Sequence, residues 1–502
     1  MRATGAGNGG RYRLLGAAGA AAAVAGGWAV GTLPAHDPWG LWVPRGTALT
    51  AAGYALAYGG LTALVVAWWL YGRTGAGVRD SLVTLVWWAA PFVVAPPLYS
   101  ADVYSYIAQG AMVLEGHDVY EVGPSVLDPA GPGGDAAASV GGHWTDTPAP
   151  YGPFFLLLAR GVAWATGGTI VPAVLLMRLI ALASLALIAW ALPHLAREHG
   201  RSPGAALWLG ALNPLLLMHV AGGLHNDGLM IGLMLVGVVL ALRGRWIGGS
   251  VLVGLAMMVK TPAAVALLFV AVLVGRAATG GLVRRAAKGL FGPGAVAGAV
   301  VVLTTLLGGT GFGWVATQGV AGRIHTALSP TSDLGLGLGE LLRLLAGTDP
   351  DPVKAAVQNL GLAAGVALIL LAAWRAAAGR LDAVHGLGLG LVALVALSPM
   401  VQPWYLLWGT VVLAATAAGS TVRDVVVVLS AALGYETQPS GSTPAYGFVL
   451  AALVCGAGGV LLRRERATAP GARVPGQRRP ADAAVEPHAT TAHRRAVTPS
   501  GE

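Results

Sequence analysis

Apolar residues run along the chain in long blocks separated by short polar breaks. About 20 apolar residues in helical form cross a bilayer core, with a range of roughly 17–25. Blocks of this kind occupy 13–33, 51–71, 81–97, 169–193, 204–221, 227–242, 246–259, 261–275, 289–309, 357–374, 384–400, 403–419, 425–438 and 445–462. Several are short, so the pattern predicts an all-α, polytopic transmembrane helical bundle of about 12 to 14 spans. The first block is too long and too poorly marked for cleavage to read as a signal peptide, and it is taken as a helix.

Composition excludes the main alternatives. Hydrophobic residues make up 55% of 502 residues, charged residues 11%, and mean hydropathy is +0.68. A soluble domain carries about 25% charged residues, and disorder requires low hydrophobicity. Cys455 is the single cysteine, which excludes a disulfide scaffold. The net charge of +9 would point a soluble protein towards nucleic acid. In a membrane protein it is instead a question of where the cations fall.

With both termini in the cytoplasm, 24 of the 31 basic residues fall inside and five outside, while Arg160 and Arg178 lie within apolar segments. Such an asymmetry sets orientation. It requires that 152–167 does not cross; that segment reads as a membrane-embedded or interfacial helix on the outer side, with Arg160 in its middle. The expected organisation is a cytoplasmic tail over 1–12, a membrane domain over 13–462 and a disordered cytoplasmic tail over 463–502. The expected location is the plasma membrane.

The two long loops, about 98–150 and 310–356, both fall outside. The first has no Lys or Arg and seven acids: Asp102, Glu115, Asp118, Glu121, Asp128, Asp135 and Asp146. The second carries Arg323 and His325. Short outer turns add His225-Asn226-Asp227, Lys260 and Gln402-Pro403-Trp404-Tyr405. The unusual polar groups therefore gather on one membrane face, which predicts a single outward-facing site.

The first loop opens with Tyr99-Ser100-Ala101-Asp102-Val103-Tyr104-Ser105-Tyr106, whose spacing through Gly110 suits a short helix lying on the membrane. Asp102 is either a helix cap or a functional carboxylate. Asp227 has the same two readings. Lys260 either snorkels or meets an anion. Arg323 is either a solvated loop residue or a phosphate partner. Asp333 and the following Leu334-Gly335-Leu336-Gly337 read as a flexible loop. No Cys pair, HExxH, Walker A or GxGxxG fingerprint occurs, so neither a zinc motif nor nucleotide binding is indicated. The loop acids have no cage-like spacing, and no metal or cofactor is expected.

These residues resemble a known family. Asp102 after an early span, Gly222-Gly223-Leu224-His225-Asn226-Asp227, Val259-Lys260-Thr261-Pro262, Ser398-Pro399 with Gln402-Pro403-Trp404-Tyr405, and the loop elements His143-Trp144-Thr145-Asp146 and Ala149-Pro150-Tyr151-Gly152-Pro153 look like the actinobacterial polyprenol-phosphomannose-dependent α-1,6-mannosyltransferases of the GT-C class. The likeness covers roughly 80–440. It implies a polyprenyl-phosphate sugar donor reached from the bilayer, a glycolipid or oligomannoside acceptor of mannan or lipomannan type, inverting transfer, and Asp102 as general base.

Lys260 and Arg323, then Arg160 and His325, are candidates to hold the departing phosphate. His225, Asn226 and Asp227 would hold sugar hydroxyls or orient Lys260. Trp404 and Tyr405 would form an aromatic wall, with Tyr104 and Gln402 completing the expected binding set. A GT-C enzyme using another prenyl-linked sugar, or a polytopic transporter or flippase, is the alternative. Sidedness is testable: in a Cys455→Ala background, a cysteine at position 121 should react with a membrane-impermeant maleimide on intact cells, and one at position 197 should react only after lysis.

Overall fold

The computed structural model describes residues 8–43, 46–142, 144–323, 326–417 and 420–468, with side chains omitted for 47, 321–323, 420 and 468. Those residues form helices, 3-10 turns and one π turn, with no strand among them. In chain order the helices are α1 (Gly9–Val30), α2 (Thr47–Tyr71), α3 (Val78–Ala89), α4 (Asp102–Glu115), α5 (Gly134–Ala138), α6 (Pro153–Thr166) and α7 (Ile170–Glu198). They continue with α8 (Pro203–Leu209), α9 (Pro214–Leu216), α10 (Asp227–Leu242), α11 (Trp246–Met257), α12 (Ala264–Ala277) and α13 (Leu282–Gly308). The last are α14 (Pro330–Ala346), α15 (Pro350–Ala377), α16 (Ala383–Ala396), α17 (Leu406–Thr416), α18 (Ser420–Leu433) and α19 (Ala445–Thr468).

Each expected span is helical, and the protein is an all-α multi-pass membrane protein. Six helices (α1, α2, α7, α13, α15 and α19) are long and apolar enough to cross alone, and a pair from Pro203 to Gly222, bent by 52°, makes a seventh. The other expected spans form shorter helices. On α13 and α15, Leu303, Leu306, Leu307, Leu360 and Leu370 are exposed. An apolar side chain turned outwards costs little where the surroundings are hydrocarbon.

The described residues up to Gly456 form one packed unit, and a second begins at Ala457. In the second, α19 stays helical to Thr468, six residues past the expected end of the membrane domain; the rest of the expected tail lies outside the described residues.

Caps and stops are local. Ser202, Asn213, Ser329, Asp349 and Asp382 accept backbone N–H groups at helix starts. Gly116, Gly167, Gly309 and Gly347 end helices in the left-handed region. One expectation fails here: Asp333 to Gly337 is not a flexible loop but the first half of α14. Ser329 caps it, accepting from the Ser332 amide at 3.2 Å, and Pro330 occupies the first turn.

Helix α4 forms where expected, yet it is enclosed by protein and does not rest on one face. Val103 through Met112 are all buried. Its neighbour is α6. At their crossing, a Cβ on Gly110 would fall 2.3 Å from the carbonyl oxygen of Ala159, so only glycine permits that approach.

Two irregular backbones meet beside α4. The segment 95–101 leads into it, and a π turn, Leu217–Gly222, leads towards α10. Arg178, in α7 and fully buried, donates to the carbonyls of Ala221, Ala95 (2.8 Å) and Pro96 (3.3 Å), joining the two. Leu98 N–H also donates to Gly222 O at 3.2 Å. Replacing Arg178 by Met strands these carbonyls in an apolar interior, at about 1–3 kcal/mol for each group left unpaired. The Arg178→Met protein should unfold at markedly lower temperature in detergent, measured by a thermal scan, whereas Arg380→Met should not.

Candidate active site

Asp102 is the first residue of α4, and its carboxylate caps nothing. The Ser100 hydroxyl accepts the Asp102 amide at 3.1 Å, leaving the carboxylate free to face inwards. Its Oδ2 lies 3.2 Å from His225 Nδ1, and the Tyr106 hydroxyl, one turn on, sits 3.5 Å from the same oxygen. His225 is fully buried, whereas the Asp102 side chain keeps 23% exposure, into a cavity.

Burial would push the Asp102 carboxyl up, but the His225 ring, the Lys260 ammonium and the Ser100 hydroxyl outweigh it and hold the group below its ordinary range. Its carboxylate form is therefore the resting form at neutral pH. The stabilisation this confers is present above the unfolded carboxyl pKa and lost as pH falls through the folded one.

Asp227 is likewise the first residue of its helix, α10, and likewise not a cap. Both its oxygens accept from Lys260 Nζ at 3.0 Å, and Oδ1 also accepts from Trp408 Nε1 at 2.6 Å. The carboxylate is fully buried. The ammonium lies 4.5 Å from the Tyr405 ring centre and 5.5 Å from that of Trp408, within cation–π range. Burial would lower the Lys260 pKa; Asp227 reverses this and raises it, so the lysine stays charged.

Aromatic rings carry the floor. Trp404 stacks on His225 at 3.7 Å, and Tyr405 stacks on Trp408 at 4.3 Å. Beneath lies His219 on the π turn, 5.1 Å from Trp404 and 5.7 Å from His225. Two residues here have positive φ without being glycine: Tyr99 (65°) before Asp102 and Leu224 (57°) before His225. Such backbone costs of order 1–3 kcal/mol each and concentrates at functional sites.

A cavity of about 420 Å³ opens over this floor. Its lining includes Asp102, Tyr151, Lys260, Gln402, Trp404, Tyr405 and Trp408. It also includes Val265 of α12, Leu362, Val366 and Ile369 of α15, and Leu394 of α16. The rim is tied by side-chain bonds. Thr261 donates to Gln318 Oε1 at 2.6 Å, and Ser329 and Thr331 donate to Ser398 O at 2.8 and 3.1 Å.

The structure thus gathers Asp102, Lys260, Gln402, Trp404 and Tyr405 around one cavity. His225, Asn226 and Asp227 are buried and do not line it; His225 contacts Asp102, Asp227 holds Lys260, and the Asn226 amide donates to the Tyr106 hydroxyl at 3.4 Å. Two expected binding residues lie elsewhere. Tyr104 points away, fully buried, with its hydroxyl donating to Thr32 O at 2.5 Å. Arg160 opens onto a separate groove. The Arg323 side chain and all of His325 lie outside the described residues. Among the described residues, no three His, Cys, Asp or Glu side chains converge as metal ligands. The loop acids serve local bonds, as Asp146 does for Ser125 and Asp118 for the Tyr120 amide.

Sequence reasoning did not name Trp408 or Gln318, and it quoted Tyr151 within a loop element without giving it a place in the site. Trp408 was findable, being one helical turn beyond Trp404 and so on its face.

Residues 13–276 match the profile described as alpha-(1->6)-mannopyranosyltransferase, N-terminal domain, and residues 331–463 the MptB C-terminal domain. The chain belongs to the alpha-(1->6)-mannopyranosyltransferase family. It is 38% identical to a probable alpha-(1->6)-mannopyranosyltransferase of Mycolicibacterium smegmatis, over 75% of this chain and 73% of the relative. It is 32% identical to alpha-(1->6)-mannopyranosyltransferase B of Corynebacterium glutamicum, over 86% and 77%. It is 31% identical to alpha-(1->6)-mannopyranosyltransferase A of Mycobacterium tuberculosis, over 87% and 86%. No solved structure matches. In this mannopyranosyltransferase family member, the carboxylate–imidazole contact should show in the pH profile of transfer. His225→Phe keeps a ring against Trp404 but removes the nitrogen, so the acid limb of kcat/KM should move to higher pH; His225→Asn should restore part of the shift.

Proposed function

We propose that the protein transfers mannose from a polyprenyl-phosphate mannose donor to a mannan- or lipomannan-type acceptor, forming an α-1,6 linkage with inversion, at the outer face of the plasma membrane. One observation carries this reading: a single cavity is lined both by a carboxylate and an ammonium, Asp102 and Lys260, and by aliphatic side chains of three helices. A lipid-linked sugar phosphate needs both kinds of lining. The isoprenes would lie along Val265, Leu362, Val366, Ile369 and Leu394, with the sugar phosphate beside Asp102 and Lys260. A donor that arrives through the bilayer also needs no nucleotide-binding fold.

In the proposed reaction, Asp102 accepts the proton of the acceptor 6-hydroxyl as its oxygen attacks the anomeric carbon. The bond from that carbon to the phosphate oxygen breaks, with inversion from β to α. General-base assistance of this kind contributes about 10²–10⁴-fold. The phosphate leaves as an anion and needs no proton; it needs electrostatic stabilisation. Lys260 supplies it, held by the buried Asp227 carboxylate, which the Trp408 indole also binds. Because Asp227 is buried and already fixed, Lys260 approaches the leaving group preorganised. Trp404 and Tyr405 offer faces for the pyranose. The chemistry makes no call on a metal.

Asp102→Asn should leave the protein inserted and folded while lowering transfer at least 100-fold, assayed in membranes with radiolabelled polyprenyl-phosphate mannose and an oligomannoside. Wild-type rates there would remove Asp102 from the base role. Linkage analysis of the product separates mannose from other prenyl-linked sugars. Val366→Trp, which enlarges an aliphatic lining residue, should raise KM for a long-chain donor by about tenfold and leave a short-chain donor less affected.

A further inference from the structure

Arg160 sits in α6 among Phe154–Leu158 and Val162–Trp164, an apolar stretch. Among the described residues it meets no carboxylate; its single partner is Gly308 O, at 3.5 Å, the outer limit of a hydrogen bond. A guanidinium in apolar surroundings without a counter-ion is costly and marks a functional position. Arg160 does not line the cavity that holds Asp102. It lines a second, open groove of about 420 Å³ with Val113, Leu114, Leu157, Gly161 and Trp164. The two spaces share no lining residue. Val113 and Leu114 stand about three turns along α4 from Asp102, roughly 17 Å at 1.5 Å per residue.

The groove's composition selects its occupant. Leu157, Arg160, Gly161 and Trp164 fall at i, i+3, i+4 and i+7, one stripe of α6 turned away from the buried stripe of Phe155, Leu156, Ala159, Val162 and Ala163. Trp164 is 76% exposed, which suits an indole at a membrane–water interface. Leu114 and Leu157 are apolar, and the one charge is a planar guanidinium able to grip a phosphate with two bonds. An aliphatic wall, an interfacial indole and an unpaired guanidinium together match a phosphodiester headgroup with its acyl chain. A soluble anion would have no use for the aliphatic wall.

We infer that the groove between α4 and α6 binds the headgroup of an anionic phospholipid through Arg160, separately from the donor cavity. The lipid would be seated against the helix pair that carries Asp102.

Intrinsic tryptophan fluorescence reports this directly, with purified full-length protein in dodecylmaltoside micelles. Phosphatidylglycerol with brominated acyl chains should quench saturably, and Trp164→Phe should remove a distinct fraction of that quenching. Arg160→Gln should weaken the apparent affinity at least fivefold, while Arg160→Lys keeps most of it. Gly161→Leu should also weaken it, since a Cβ there meets nothing within 4 Å and the longer side chain extends into the groove. That variant carries the test if Arg160→Gln fails to fold. Brominated diacylglycerol, which lacks the phosphate, should not reproduce the Trp164-dependent quenching. Equal affinity in wild type and Arg160→Gln, or equal Trp164-dependent quenching by diacylglycerol, overturns the proposal. Competition by millimolar inorganic phosphate as effective as the lipid itself would make this a free-phosphate site and overturn the lipid assignment.

Discussion

The site depends on a fully buried guanidinium that meets no carboxylate among the described residues. Arg178 projects from α7 into the interior, where an unpaired charge costs several kcal/mol. Its hydrogen-bond partners among the described residues are backbone carbonyls that regular helices do not leave free. Two irregular segments supply them: the stretch at Ala95 and Pro96, and the π turn ending near Ala221. Asp102 follows the first within seven residues and His225 follows the second within four. The same arginine that needs broken helices thus fixes where two breaks meet, and the strained residues Tyr99 and Leu224 turn each chain back into its next helix.

Two aspartates at equivalent helix starts acquire different chemistry from their surroundings alone. Asp227 is surrounded by Lys260 and the Trp408 indole and is closed to the cavity. Asp102 has a buried imidazole on one side and open space on the other. The first can only hold a partner in place; the second can receive a proton. Residue type does not separate these roles, but access does.

Much of this was legible from the chain. Blocks of apolar residues mark helices whatever their neighbours, and polar groups at block ends are too costly to be incidental, which is why Asp102, Lys260, Gln402, Trp404 and Tyr405 stand out. What escaped was directional. Tyr104 and Tyr106 sit two residues apart on one helix, and only packing decides that the second faces Asp102 while the first reaches Thr32. Trp408 lies in an apolar run and reads as core; its indole N–H gains meaning from an aspartate 181 positions away. The aliphatic lining of the cavity is drawn from three helices of ordinary Val, Leu and Ile, with nothing local to mark them. The start of α14 was different: Ser329 followed by Pro330 is a helix-opening signal that the glycines beyond it obscured.

The shortness of the helices around the cavity carries a consequence for the surrounding lipid. Helix α10 has 16 residues, α11 has 12 and α17 has 11. At 1.5 Å per residue they rise about 17–24 Å, less than the roughly 30 Å of a hydrocarbon slab. Such elements cannot cross alone, and most of α10 and α17 is enclosed by protein. The longer α13 and α15, with their exposed leucines, are the helices that present an apolar surface to hydrocarbon.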